Sequence, residues 1–465
     1  MTALMLYNSL TRSIEPFTPI HPGEARVYTC GPTVYNYQHI GNMRAYVFAD
    51  TLGRVLRFKG YELRHVINIT DVGHLTSDAD AGDDKMEKAA SAAGKSAWDI
   101  ARYYTQEYWR DIKRLNIRQP HTWSIATDYV QQMIDFAQAI EARHCYRLDS
   151  GLYFDTATVP DYGRLARAHT DGGESRIDPV PGKRSPLDFA IWRTTPPGET
   201  RQMEWDSPWG RGAPGWHLEC SVMSGALLGF PFDIHTGGID HREIHHPCEI
   251  AQNQAHEGTA DTGARLWMHN NFLIDRTGKM SKSSGDFLRL QTLIDRGFHP
   301  LSYRLMCLQA HYRSELEFSW EGLLAAQTRL KRMIAGVQKA VDDGPADDAL
   351  LGEFDAALSN DLNTPVALTL LDGLLSGKKP HRGTIGRMDE ALGLELTTLT
   401  RADLRVRPAA ATLTEEDVEA RLAERKAARA AKDFATSDRI RDDLIAAGVE
   451  VMDGDPLGWD WRPLV

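Results

Sequence analysis

Cysteine is scarce in this 465-residue chain, and the five present (Cys30, Cys145, Cys220, Cys248 and Cys307) are scattered and odd in number. That argues against a disulfide framework and suits a reducing compartment, so a cytoplasmic protein is expected. Long apolar runs are missing too. No stretch approaches the roughly 18 uninterrupted apolar residues of a membrane span. The opening "MTALMLYNSLTRSIEPF" has no basic segment leading into an apolar run, so no signal peptide is expected. A basic excess is also lacking: 53 Lys+Arg against 64 Asp+Glu leave a net charge of −11. This argues against a generally basic nucleic-acid binder and leaves room for a local basic patch. No internal repeat or low-complexity tract occurs.

What remains is globular: 42% hydrophobic and 25% charged residues, over a length that allows two to four domains. "ARVYTC" (25–30) and "YELRHVINIT" (61–70) are β-branched and aromatic runs of strand length. Between them, residues 41–60 predict a helix with Phe48, Leu52, Val55 and Leu56 on one face. Strand, helix, strand at this spacing predicts a right-handed crossover in a parallel sheet. Residues 96–146 are helical in pattern, and 147–215 shift to Gly, Pro and Asp with short strands such as "LDFAIW", which predicts an inserted module. "PFDIHTGG" and "LWMHNNFLI" resume the sheet. Beyond "HPLSYRLMCLQAHYR" the pattern is helical, with boundaries at "DDGPADD" (342–348) and "LRVRPAAATLTEED" (404–417).

Three stretches carry chemistry. In "GPTVYNYQHIGNMRAY", His39, Gly41 and Asn42 sit where a strand turns into a helix, and free backbone N–H groups there suit phosphate. Taken alone, this four-residue signal is weak and better fits a glycine turn with a surface histidine. "TGKMSKSSG" (277–285) places Lys279 and Lys282 among small residues. Such a loop can close over a polyphosphate, or it is a solvated turn. In "EIHHPCEIAQ" (243–252), His245, Cys248 and Glu249 share one helical face like half of a metal site.

The two nucleotide motifs, in this order, resemble those of class I aminoacyl-tRNA synthetases. "YTCGPTVYNYQHIGN", "WDSPWGRGAPGWHLECS", "FDIHTGGID", "HHPCEIAQ", "GKMSKS", "LEFSW" and "DLNTPVAL" resemble, more narrowly and over nearly the whole length, the cysteinyl-tRNA synthetase family. The resemblance implies an α/β fold: a Rossmann-like parallel-sheet catalytic domain with an inserted module, then a helical bundle and a small C-terminal mixed α/β domain. It divides the chain into a catalytic domain in two halves, 1–125 and 229–300, the second with the lysine loop, around an inserted connective module, 126–228. A stem-contact region (301–341), a helical bundle (342–405) and an anticodon-binding domain (406–465) follow.

It also implies zinc, one per chain, on Cys30, Cys220, His245 and Glu249, and Mg2+ accompanying ATP. "PC" at 247–248 departs from the family pattern: Pro247 suits the first turn of a helix, and Cys248 is a second sulfur that could in principle displace Glu249, though only Glu249 matches the family position. Thr70, Trp216 and His235 match positions lining an amino-acid pocket, though each is compatible with simple packing. His39, Gly41 and Lys282 would bind ATP, with His39, Asn42, Lys279 and Lys282 as the catalytic set. The segment "LTSDADAGDDKMEKAA" after Asp71 is longer and more acidic than the family form.

Arg425, Arg429 and Lys432 predict a basic helical stripe, which charge alone reads as a solvated face and the resemblance reads as tRNA-binding. Trp461 and Arg462 are expected to meet unpaired bases. The implied partners are ATP, L-cysteine and tRNA(Cys), with no membrane, and the expected state is a monomer. Two rivals share parts of the pattern. One is a ligase joining cysteine to an amino sugar, which needs no basic C-terminal domain. The other is an inactive RNA-binding paralogue, against which both lysines and all four ligands speak.

Overall fold

Parallel strands cannot be joined by a tight turn, so a chain that begins strand, helix, strand must cross over the sheet. In the structure, a computed structural model that describes residues 2–72, 85–166, 180–275, 278–279, 288–342 and 344–465, this is how the first strands are built. Strands Glu24–Thr29 and Glu62–Ile69 run parallel, with Val27 opposite His65 and Tyr28 opposite Val66. Between them, helix Ile40–Phe58 buries Met43, Val47, Leu52, Val55 and Leu56.

A second crossover, through helix Ala97–Arg114, leads to the edge strand Thr122–Ile125. That strand corrects the expectation of an unbroken helical pattern over 96–146. Four residues are too few for a period-2 signal to stand out between two helices, and pairing with Glu62–Ile69 selects the extended form while Ser124 is fully buried.

Strands Phe232–Gly238 and Ala264–Asn270 add to the other side, both parallel. Along the sheet the order is 264–270, 232–238, 24–29, 62–69, 122–125. The winding therefore reverses between the strands at 24–29 and 232–238, which is where open α/β sheets bind ligands, beyond the strands' carboxyl ends. A four-stranded antiparallel sheet (145–148, 151–154, 189–194 and 212–214) is inserted ahead of the fourth strand. Helices Trp320–Val337, Asp348–Ser359, Thr364–Leu375 and Arg382–Leu392 follow the sheet. The overall plan is the expected α/β one.

One apolar core runs through both sheets and the helical bundle. A buried polar hub ties them together. Asp50 Oδ2 accepts from Arg54 Nε at 2.7 Å and Arg304 Nη2 at 2.6 Å, and Oδ1 accepts from the Arg118 amide at 2.9 Å. Arg304 also donates to the carbonyls of Leu115 and Leu392, so it joins the end of the second crossover to the last bundle helix. Gly393 makes room: a Cβ there would lie 2.6 Å from Arg54 Cζ, and its φ of +67° suits glycine. The residues after 413 have a separate small core of Val418, Ile440, Leu444, Val449, Trp459 and Trp461.

His65, in the second strand, bonds Thr29 Oγ1 through Nε2 at 2.8 Å, and burial lowers its pKa from 6.5 to about 4. Only the unfolded chain takes that proton between these values. Stability is therefore full above about pH 6.5 and falls as pH drops toward 4, by about 3 kcal/mol from this group. His65→Gln is expected to flatten this part of the stability–pH curve in urea titrations. An unchanged slope between pH 6.5 and 4 would remove His65 as its cause.

Candidate metal centre and phosphate turn

Each predicted ligand reaches the switch point from a different element. Cys30 follows the central strand, and its amide donates to the Thr236 carbonyl at 3.1 Å, next strand over. Gly31 lets the chain pass the neighbouring strand, because a Cβ there would lie 1.5 Å from the Asn68 carbonyl oxygen. Cys220 sits on helix Trp216–Leu228, which packs on the first two strands and on helix His245–Glu257. On the latter helix, His245 and Glu249 stand one turn apart with Nε2–Oε1 at 3.0 Å.

The donor atoms of Cys30, Cys220, His245 and Glu249 all lie within 4.8 Å of one another, and all four residues are buried. Around a tetrahedral zinc with ligands about 2.0–2.3 Å away, donors stand about 3.3–3.8 Å apart, so small side-chain rotations close the set. Two sulfurs, an imidazole and a carboxylate suit zinc. His217 Nδ1 lies 3.0 Å from His245 Nδ1, an outer contact that fixes the ring with Nε2 toward Glu249. A second group, Cys30, His235, His246 and Glu249, overlaps the first. There, His235 Nε2 meets Glu249 Oε2 at 2.8 Å, and His246 turns Nε2 to Cys30 Sγ at 3.3 Å with Nδ1 on His269 at 2.7 Å. Cys30 and Glu249 belong to both sets, and Cys220 gives the first a second sulfur, which suits zinc.

Of the two residues that spacing put on one face with His245, only Glu249 turns to the cluster. Cys248 Sγ lies 3.4 Å from Tyr162 Oη and belongs to neither group. Charge is separated within the cluster. Burial raises the pKa of Glu249, but the charges of His235 and His245 outweigh it and bring the carboxyl down to about 2. Burial lowers that of His245, yet Glu249 and Cys220 lift it to about 10. Burial and the charges around it push the Cys30 thiol up.

Around the cluster, the half-buried Trp216 ring lies 4.5 Å from the His245 ring. His235 stacks on Trp267 at 4.6 Å and bonds Glu249 Oε2, so it braces that carboxylate. Thr70 donates to Glu219 Oε2 at 2.7 Å. Glu219 was missed by the sequence reading. Its side chain is fully buried, its Oε1 has no hydrogen-bond partner among the described residues, and burial raises its pKa well above the usual range. The available signal was a single carboxylate, between Leu218 and Cys220, on a helix with no other acidic residue. His217 and His246 were missed as well.

At the other end of the site, His39 is the N-cap of helix Ile40–Phe58, and its Nδ1 accepts from the Asn42 amide at 3.1 Å. A Cβ at Gly41 would lie 2.9 Å from the His39 ring, so glycine lets the ring fold across the turn. Asn42 Oδ1 is buried without a hydrogen-bond partner among the described residues. Lys279 is placed by its backbone alone, paired with Ile274 beside strand Leu273–Asp275. Lys282 lies outside the described residues, as do residues 75–84 of the acidic segment.

In the C-terminal region the structure corrects two expectations. Trp461 is 1% exposed, packed edge-to-face on Trp459 at 5.3 Å, and so is core rather than an open ring for a base. Spacing alone could not separate a stacking tryptophan from a core one. The basic stripe is also interrupted. Arg425 is buried and bonds both oxygens of Asp453, at 2.6 and 2.7 Å, and Lys432 lies past the end of helix Glu415–Ala430 with φ of +59°. Arg429 and Arg462 are exposed, Arg429 being 3.3 Å from Asp453.

A doubly wound sheet with a histidine-capped signature helix and a Cys/His/Glu cluster at its switch point defines a class I synthetase catalytic fold. The family model described as "tRNA synthetases class I (C) catalytic domain" matches residues 16–328, and "Cysteinyl-tRNA ligase anticodon binding domain" matches 413–462. The cysteine–tRNA ligase of Novosphingobium aromaticivorans is 67% identical, covering 99% of this chain and 97% of its own. That of Zymomonas mobilis is 55% identical, covering 99% and 98%. The chain belongs to the cysteine–tRNA ligase family. Among solved structures, the methionyl-tRNA synthetase of Mycobacterium tuberculosis with methionyl-adenylate shares the fold (TM-score 0.54, 16% identity, covering 80% of this chain and 89% of that one). So does the LeuRS of Agrobacterium radiobacter in a ternary complex with tRNA (TM-score 0.55, 13% identity, covering 82% and 84%).

Proposed function

We propose that this chain joins L-cysteine to tRNA(Cys) at the expense of ATP, through cysteinyl-adenylate. The observation that carries the reading is the convergence of Cys30, Cys220, His245 and Glu249 at the sheet's switch point, beside Trp216 and Thr70. Serine differs from cysteine by oxygen for sulfur, and a shape-based pocket separates such near-isosteres by only a few kcal/mol. A zinc ion on these four residues would supply the missing selectivity, since it favours a thiolate over a hydroxyl.

The chain's own residues do the rest. Trp216 and His235 wall the amino-acid site, and Thr70, held by Glu219, faces it from the second strand. His39 and Asn42 steady the phosphates of ATP-Mg2+ at the helix opening, with Gly41 allowing close approach. The cysteine carboxylate attacks the α-phosphate and pyrophosphate leaves. Lys279 and Lys282 offset the charge that grows on the transferring group. The adenylate then passes its aminoacyl group to the tRNA's terminal ribose. Arg429, Lys432 and Arg462 offer the C-terminal contacts to tRNA, with Arg425 bracing that surface through Asp453. The reading is of a cytoplasmic monomer.

The test is cysteine-dependent pyrophosphate exchange followed by transfer to tRNA(Cys) or to an amino sugar. Exchange followed by transfer to tRNA is expected. Exchange with transfer only to the sugar, or no exchange, would overturn the reading. For Lys282→Ala, cysteine binding is expected to stay near normal while adenylate formation slows about a hundredfold in single-turnover experiments. Rapid adenylate formation in that variant would take the lysine out of the reaction.

A further inference from the structure

Beside the turn that opens the signature helix lies an aromatic platform that the chemistry above does not use. Tyr37, Tyr103 and Tyr104 pack edge to face, with ring centroids 5.0 Å apart for Tyr37–Tyr104 and 5.1 Å for Tyr103–Tyr104. The Tyr37 and Tyr103 hydroxyls meet at 2.7 Å. Large apolar rings usually retreat from water, yet Tyr103 is 40% exposed. Two cations stand over the rings: Arg289 Cζ is 4.1 Å from the Tyr37 centroid, and Lys95 Nζ is 5.5 Å from that of Tyr103. The nearest carboxylate on the same helix, Glu107, is paired with Arg110 at 2.5 Å.

Exposed rings with cations beside them match a polyanion that carries flat faces, which is to say single-stranded nucleic acid. An apolar protein partner would gain nothing from the cations. Position narrows the occupant further. Tyr37 is two residues ahead of His39, and the Ile40 amide donates to the carbonyl of Leu288, the neighbour of Arg289, at 2.9 Å. The platform therefore borders the phosphate end of the site, where the acceptor ribose must arrive.

We propose that Tyr37, Tyr103 and Tyr104, with Arg289 and Lys95, receive the unpaired 3′ end of the tRNA, a base stacking on Tyr103 and the cations meeting its phosphates. This rests on the proposed function, and the test keeps the two apart. With full-length protein, pyrophosphate exchange reads the first step and tRNA charging reads the second. Tyr103→Ala is expected to leave exchange unchanged and to lower kcat/KM for tRNA about tenfold, mainly through KM. Tyr103→Phe keeps the stacking face and loses the hydroxyl contact, and is expected to charge tRNA normally. In binding assays, wild-type protein should prefer intact tRNA to tRNA trimmed of its unpaired end, and Tyr103→Ala should not. Equal losses in exchange and charging, unchanged tRNA kinetics, or a Phe variant as poor as Ala would each overturn the proposal. Absence of exchange in the wild type would instead sink the underlying function.

Discussion

Cys220→Ser is expected to abolish stoichiometric zinc and to lower cysteine-dependent pyrophosphate exchange by more than about a hundredfold. The reason is charge as much as geometry. Cys220 is buried among Cys30, His245 and Glu249, and although burial alone would raise its pKa, its hydrogen bond with Cys30 and the charge of His245 bring it down to about 6. It is thus the sulfur readiest to meet a cation as thiolate. A serine hydroxyl at the same place stays neutral and leaves the set short of one negative donor. Elemental analysis after gel filtration gives the metal content. Cys248→Ser is the control, and because its sulfur faces Tyr162 it should keep both zinc and activity. Full zinc in Cys220→Ser, or undiminished rejection of serine by it, would contradict the assignment.

The second large effect concerns stability. Asp50→Ala is expected to destabilise the main body by about 3–5 kcal/mol, because it strands two buried guanidiniums whose carboxylate is gone. The Arg304 side chain is 0% and the Arg54 side chain 4% exposed, so water cannot replace the lost partner. The native pKa of Asp50 is lowered despite burial, since the charges of Arg304 and Arg54 prevail. The variant should melt several degrees lower in calorimetry, with the transition of the C-terminal domain little moved. A loss below about 1 kcal/mol would mean that the arginines find other partners.

Much of this was legible in the sequence, for physical reasons that can be named. Sheet strands buried on both faces read as continuous β-branched runs, which is why 25–30 and 61–70 stood out. The edge strand Thr122–Ile125 did not, since its structure comes from a neighbour distant in sequence. The candidate ligands on helix His245–Glu257 were visible by period, whereas Cys30 and Cys220 were reached only through family resemblance, because nothing local ties them together. Spacing could not choose between Cys248 and Glu249, and the direction of each side chain along the helix does. Trp461 was misread because burial of an aromatic depends on a partner, here Trp459, that lies on its own strand. Arg425 was misread because its counter-charge, Asp453, is 28 residues away.

The separate terminal core has a mechanical consequence. It shares no member with the main one, and the two bodies meet through links such as Lys331 to Asp460 at 2.6 Å, Arg401 to Asp455 at 2.8 Å, the Leu464 amide to the Arg296 carbonyl at 2.8 Å, and the Arg405 guanidinium 3.8 Å over the Trp459 ring. Swivelling at such a joint trades polar partners for water and lifts the Arg405 guanidinium from the Trp459 ring. A change of angle by the end piece, as a long, bent ligand would ask of it, therefore leaves the main core unbroken.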